Sequence, residues 1–255
     1  MLNLFDWSVV YKDFWELLKY LPITMELTVV CMVFGLILGF LLAVIRIRRI
    51  PVLKRIVDFF ISIIRGTPII VQLYITYFGI PIALKYINYY NGTDFTVARI
   101  PAVIYAIVAL SLNQSAYNAV TIQAALEAVN KGEIEAATSL GMSGKQRMFR
   151  IIIPEAIELA LPSLGNTLIG LIKGTSLAFS CSVIEMTAAG KILAGNDYRY
   201  FEVYVALAVI YWLLTIVVEY AIQWIINFVT VPDSPGERKR MFGVGRKMEK
   251  RGVTV

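Results

Sequence analysis

Ser111, Gln114, Ser115, Asn118 and Thr121 recur along a stretch that is otherwise apolar. At about 100° per helical residue they fall within an arc of roughly 120°, while Asn113 and Gln123 lie off it. None is a nucleophile set beside a base, so the chemistry on offer is hydrogen bonding. Two readings stay open. The stripe supplies partners for the ammonium and carboxylate of a polar solute moving past, or it ties helices together through bonds of about 1 kcal/mol each. Both keep polar groups away from lipid.

Lys173 is the one charge between Leu159 and Ile184. A lysine at the middle of an isolated membrane helix costs at least ~3 kcal/mol, and Gly174 beside it weakens the helix. A break there would free backbone groups to line a cavity. Gating or contact with a solute carboxylate stands against snorkelling, or pairing with Glu185 or Glu26. Arg65-Gly66-Thr67-Pro68 interrupts another apolar run, and Pro68 removes a backbone donor, which reads first as a structural kink.

Other chemistry is excluded by absence. The 255 residues contain no histidine, so the commonest general base and metal ligand are missing. Cys31 and Cys181 fall inside apolar runs and read as packing residues rather than a disulfide or a metal pair. No phosphate loop exists: Gly144-Lys145 is followed by Gln146 and Gly190-Lys191 by Ile192. The net charge of +6 is set by basic residues flanking apolar spans, so membrane topology rather than nucleic acid accounts for it.

The elements that must position these groups are membrane helices. Hydrophobic residues make up 58% of the chain and charged ones 16%, against about a quarter charged in a soluble domain. Crossing a ~30 Å hydrocarbon core takes roughly 20 helical residues. Five stretches qualify: Leu21 to Ile45, Phe59 to Leu84 with its interruption, Ile100 to Leu126, Leu159 to Ile184, and Val203 to Phe228 with Glu219. Residues 21–231 are thus expected to be a five-helix membrane domain, all-α.

Before it, Val9 to Leu21 reads as an amphipathic segment on the membrane surface, within an N-terminal stretch 1–20. Asp6, Asp13 and Glu16 argue against a cleaved signal peptide there. Residues 232–255 form a basic tail. Sixteen Lys and Arg residues fall in the loops of one side and six on the other, which predicts an outside N-terminus and a cytoplasmic C-terminus.

The longest connection, 128–158, is expected in the cytoplasm. Gly132 is read as the break after the third crossing, and Glu133 and Glu135 suit the positive end of a short helix. Ala136, Ala137 and Leu140 are read as sharing one face, Gly141 as a left-handed cap, and Ser143 as the cap of a helix stopping before Pro154. A two-turn helix is unstable alone. It needs a surface, either its own bundle or a partner protein.

Glu135-Ala136-Ala137, Gly141 and Ile151-Ile152-Ile153-Pro154 resemble the signature loop of ABC-importer permeases, with Ile153 in place of Leu. Arg65-Gly66-Thr67-Pro68-Ile69-Ile70-Val71-Gln72-Leu73, Ala116-Tyr117, Val129-Asn130-Lys131-Gly132 and Lys173-Gly174-Thr175-Ser176-Leu177 resemble the polar amino acid branch of that family. The resemblance covers roughly Leu21 to Pro232 and implies a type I ABC importer permease fold in a bacterial plasma membrane.

It also implies a coupling helix around Glu135, Ala136, Ala137, Leu140 and Gly141, with Pro154 closing the motif. That helix would dock on cytoplasmic ABC ATPase subunits, which bind ATP and Mg; this chain would hold no cofactor and catalyse nothing itself. A second permease subunit, identical or not, and an extracytoplasmic amino-acid-binding protein would complete the complex. Gln72, Thr175 and Ser176 join Gln114, Ser115, Asn118, Thr121 and Lys173 as expected pathway residues. The chain departs from the family where many members carry Glu and Arg, at Val120 and Gln123, and at Gly174 where they carry Asp. Either the solute depends less on a charged side chain, cystine or glutamine being examples, or a non-identical partner supplies the pocket. An ion-gradient carrier would want inverted repeats and buried carboxylates, and a membrane anchor subunit would leave the polar stripe unexplained.

Overall fold

The computed structural model describes residues 5–94 and 100–230. Ten α-helices follow in order: α1 Trp7–Leu18, α2 Leu21–Ile47, α3 Pro51–Gly66, α4 Ile69–Asn91, α5 Ala102–Ala128, α6 Lys131–Ser139, α7 Gly144–Arg147, α8 Ile153–Gly174, α9 Met186–Asp197 and α10 Tyr200–Val229. Among the described residues, α2, α4, α5 and α10 are each long and apolar enough to cross a membrane. The helical path from Gly144 to Cys181 and α9, bent 56° from it, count as a fifth crossing when the bent pair is taken as one span.

Two glycines let the central pair meet. A Cβ on Gly35 would lie 2.7 Å from Cβ of Gln114, and one on Gly39 would lie 2.8 Å from Cβ of Asn118. Small residues four apart on α2 therefore bring its backbone onto α5, where dispersion and hydrogen bonding, not water exclusion, hold membrane helices together. Leu27, Cys31, Leu73, Ala109, Leu110, Ala178 and Cys181 form the core around this seam. The two cysteines are buried free thiols within it.

The second crossing differs from its expected span. The chain does not run from Phe59 to Leu84 as one bent helix; α3 ends at Gly66 and the long apolar helix starts at Ile69. Thr67 and Pro68 are extended, because proline disfavours helical geometry in the residue before it. The chain still continues along α5, with α3 resting Val57 and Ile61 on Ala116 and Ala119.

The fourth crossing also differs. Its helix does not stop before Pro154. A π-turn at Met148–Ile152 joins α7 to α8, and the N–H of Ile153 bonds to Met148 O, five residues back. The wider turn carries the helix past a residue that has no N–H to give. At the other end the expected break at Lys173-Gly174 falls later. Gly174 keeps helical angles, the path tightens to a 3₁₀ helix at Thr175–Cys181, and the bend comes after Ser182, whose φ is +62°. Thr175 Oγ1 and Ser176 Oγ donate to the carbonyls three residues back, at 2.6 Å each, and so accompany the tighter winding instead of opening the chain.

Candidate functional site

The elbow between α5 and α8 is built from local caps. α5 ends at Ala128, and Asn130, not Gly132, starts α6: its side chain accepts the N–H of Gly132 at 2.9 Å. At the far end Gly141 has φ +77°. Its N–H donates to Thr138 O at 3.0 Å, and the N–H of Met142 to Ala137 O at 3.1 Å, a Schellman cap. Ser143 and Gln146 then close a reciprocal capping box that opens α7.

The face assigned to α6 needs correction. Ala137 is buried, and Ile134 packs against Ala125, Val129, Ala156 and Ala160. Glu135 and Ala136 are exposed, and Leu140 is 83% exposed. Ala136 and Leu140, four apart, point outward, while Ala137 sits about 100° round the helix and points inward. A short helix held at both ends thus presents Glu135, Ala136 and Leu140 away from its own bundle.

The polar stripe of α5 lies mostly inside the protein. Ser111, Gln114, Ser115 and Asn118 are buried against α2. Gln114 Nε2 donates to Thr167 O at 3.3 Å, Ser115 Oγ donates to Leu112 O at 2.7 Å, and Asn118 Nδ2 approaches Met32 Sδ at 3.9 Å. Ser111 Oγ and Asn118 Oδ1 are buried without a hydrogen-bond partner among the described residues. Thr121 reaches the edge of the seam, its hydroxyl 3.3 Å from that of Ser163 on α8.

Gln72 fills the α3–α4 break. Its Nε2 donates to Ile64 O, Thr67 O and Thr67 Oγ1 at 2.7 to 3.1 Å, and its Oε1 accepts from Asn113 at 3.0 Å. Asn113, set aside for lying off the α5 stripe, is the residue that ties this break to the bundle.

Lys173 is exposed and makes no ion pair among the described residues. Of the readings left open, pairing with Glu185 does not form, because that carboxylate is spent elsewhere. It caps α9 by accepting from the N–H groups of Thr187 and Ala188, each at 2.9 Å, and it accepts from Tyr211 Oη at 3.2 Å. Glutamate is not a residue type that marks a helix start, so this cap on α9 has no local signal in the sequence.

Lys173 belongs instead to a stripe that sequence reasoning missed. Ser163, Asn166, Gly170 and Lys173 are all exposed on α8, at spacings of three and four that put them on one face. Thr121 borders it, and one turn from Thr121 the Tyr117 ring, 40% exposed, lies 5.3 Å from the Arg65 guanidinium carbon. Isolated Ser, Asn and Gly among leucines hide the pattern in the sequence.

Five crossings, an elbow between the third and fourth, and a fourth bent beyond its midpoint define the membrane-spanning subunit of an ABC importer. The same fold recurs in an amino acid ABC transporter solved with histidines, at a TM-score of 0.73 and 31% identity over 88% of this chain and 98% of that one. It recurs again in the MetNI methionine ABC transporter in an inward-facing form, at a TM-score of 0.62 and 23% identity over 85% and 97%. This is the type I importer permease fold.

The chain belongs to the binding-protein-dependent transport system inner membrane component family, whose pattern matches residues 35–231. It is similar to the probable amino-acid permease protein YxeN of Bacillus subtilis, 41% identical over 85% of this chain and 92% of that one. It is also similar to the L-cystine transport system permease protein TcyL of the same organism, 36% identical over 85% and 88%. It is a multi-pass plasma-membrane transport subunit and not an enzyme.

Proposed function

We propose that this subunit conducts a polar amino acid across the plasma membrane and takes its energy from a separate ATPase gripping α6. The observation that carries the coupling is Leu140: an aliphatic side chain 83% exposed beside exposed Ala136 and Glu135, on a nine-residue helix too short to stand alone. An unpartnered apolar tip on a helix capped at both ends suits a groove in another protein. On this reading the α6 end faces the cytoplasm, as the Lys and Arg bias suggests, ATP and Mg sit on the partner, and a binding protein delivers solute at the other end.

The α8 face of Ser163, Asn166, Gly170 and Lys173, with Thr121 and Ser176 at its border, forms the wall of the path. A second permease subunit closes it. Lys173 attracts the solute carboxylate, and the hydroxyl and amide groups take up its other polar atoms. Gln114, Ser115 and Asn118 stand one layer behind, at the α2–α5 seam; Gln72 fills the α3–α4 break and Thr175 opens the 3₁₀ turn that follows α8. Relatives named for L-cystine and octopine transport support an α-amino acid as the solute. The aromatic edge of α1, Trp7, Tyr11 and Trp15, rests at the lipid headgroups.

The test is reconstitution in liposomes with ATPase and binding protein. ATP-dependent uptake of labelled L-cystine, glutamine or arginine is expected, and Leu140→Glu should abolish co-purification of the ATPase while the permease still inserts. Full retention of the ATPase by that variant defeats the docking role.

A further inference from the structure

Beside the apolar packing of Val129 and Ile134 on Ala156 and Ala160, one carboxylate hydrogen-bonds the elbow to α8. Glu155 stands in the first turn of α8, and its Oε1 accepts the backbone N–H of Asn130 at 3.1 Å. Asn130 is the residue whose side chain starts α6. As an N-cap residue its own N–H has no acceptor within the helix it opens, so the carboxylate is what satisfies it. Among the described residues this is the one side-chain hydrogen bond between the elbow 129–142 and α8.

The surroundings make that bond an efficient link. Val129, Ala156 and Ala160 pack around it, with Ile134 of α6 and Ile152 of the π-turn against them. Glu155 Oε2 is buried and has no partner among the described residues, so no second bond duplicates the first. From Glu155 the helix runs without a break through Ser163, Asn166 and Gly170 to Lys173. A displacement of α6 therefore reaches the proposed path wall along one continuous helix, which carries Pro162 between Glu155 and Ser163.

We propose that Glu155 is the positioning residue that transmits movement of α6 to α8, acting by hydrogen-bond reach to the Asn130 N–H rather than by charge. This rests on α6 being gripped by the ATPase. Two conservative variants separate reach from charge. Glu155→Gln keeps an acceptor oxygen at the same distance and loses the charge; Glu155→Asp keeps the charge and draws the oxygen back by one methylene.

The experiment is amide hydrogen exchange on the complete complex, permease with ATPase, compared between the nucleotide-free and ATP–vanadate-trapped states. Both variants are first checked for co-purification of the ATPase. In the unmodified protein, trapping is expected to change exchange at least threefold in both 131–139 and 153–174. Glu155→Gln should keep both changes. Glu155→Asp should keep the first and lose most of the second. No response at 131–139 in the unmodified protein overturns the docking reading and this link with it. A response there with α8 silent, or with the Asp variant transmitting normally, overturns the link alone. So does loss of the α8 response in the Gln variant, whatever the Asp variant does.

Discussion

Replacing Gly141 by alanine isolates the backbone contribution to the elbow. Its φ of +77° lies where a Cβ meets the following carbonyl, at roughly 1–2 kcal/mol for an L-residue. A Cβ there would touch nothing else within 4 Å, so the whole effect is local strain and no packing term confuses it. The strain bears on two bonds: Gly141 N–H to Thr138 O and Met142 N–H to Ala137 O, at 3.0 and 3.1 Å. One or two kcal/mol lowers the ratio of capped to uncapped elbow by about 5- to 30-fold. If the ATPase binds only the capped form, its apparent Kd rises by up to that factor, the full amount being reached where the uncapped elbow predominates. Asparagine tolerates left-handed angles better than alanine, so Gly141→Asn should lose well under half of that free energy. The assay is titration of detergent-solubilised permease with purified ATPase subunit. An alanine variant that binds like the unmodified protein, or an asparagine variant as weak as alanine, refutes the argument.

Four further substitutions follow from the structure. Gly39→Ala places a Cβ 2.8 Å from Asn118 Cβ and 3.0 Å from Ser115 O, and should lower stability in detergent by about 1–3 kcal/mol through overpacking. Gly66→Ala, with open space around it, should leave the thermal midpoint unchanged, and equal effects of the two would count against the tight α2–α5 contact. Burial raises the pKa of Asp13 on α1, with Asp197, Glu202 and Glu16 raising it further and Lys12 opposing them. A raised carboxyl favours the folded state below its unfolded pKa, near 3.8, and loses that contribution as pH rises through the folded value. Asp13→Asn should therefore slow hydrogen exchange across residues 7–18 at pH 7, with the difference from the unmodified protein shrinking towards pH 4. Lys173→Met should raise the solute concentration for half-maximal uptake at least fivefold without reducing insertion or ATPase binding; unchanged uptake kinetics would remove Lys173 from the path.

The long apolar runs determined by themselves that this is a helical membrane protein, because a helix of about 20 apolar residues spans the hydrocarbon and satisfies its own backbone there; the count of five rests on taking the bent fourth stretch as one span. Caps were legible too. Ser143 and Gly141 act as their types demand, since a cap depends on neighbours within four residues. Tertiary structure decided which polar groups face where. Gly35 and Gly39 pull α2 against Gln114 and Asn118 and bury a stripe that periodicity alone left open to a cavity, because a helix wheel has no knowledge of which helix its face will meet. The same holds for Gln72, which reaches back across the α3–α4 break to Thr67 and Ile64 and is held by Asn113 of α5, and for Glu185, taken up by α9 and Tyr211 instead of Lys173. Lys173 is left exposed beside Ser163, Asn166 and Gly170, a face that is set by which side of α8 packs on α5 and α10.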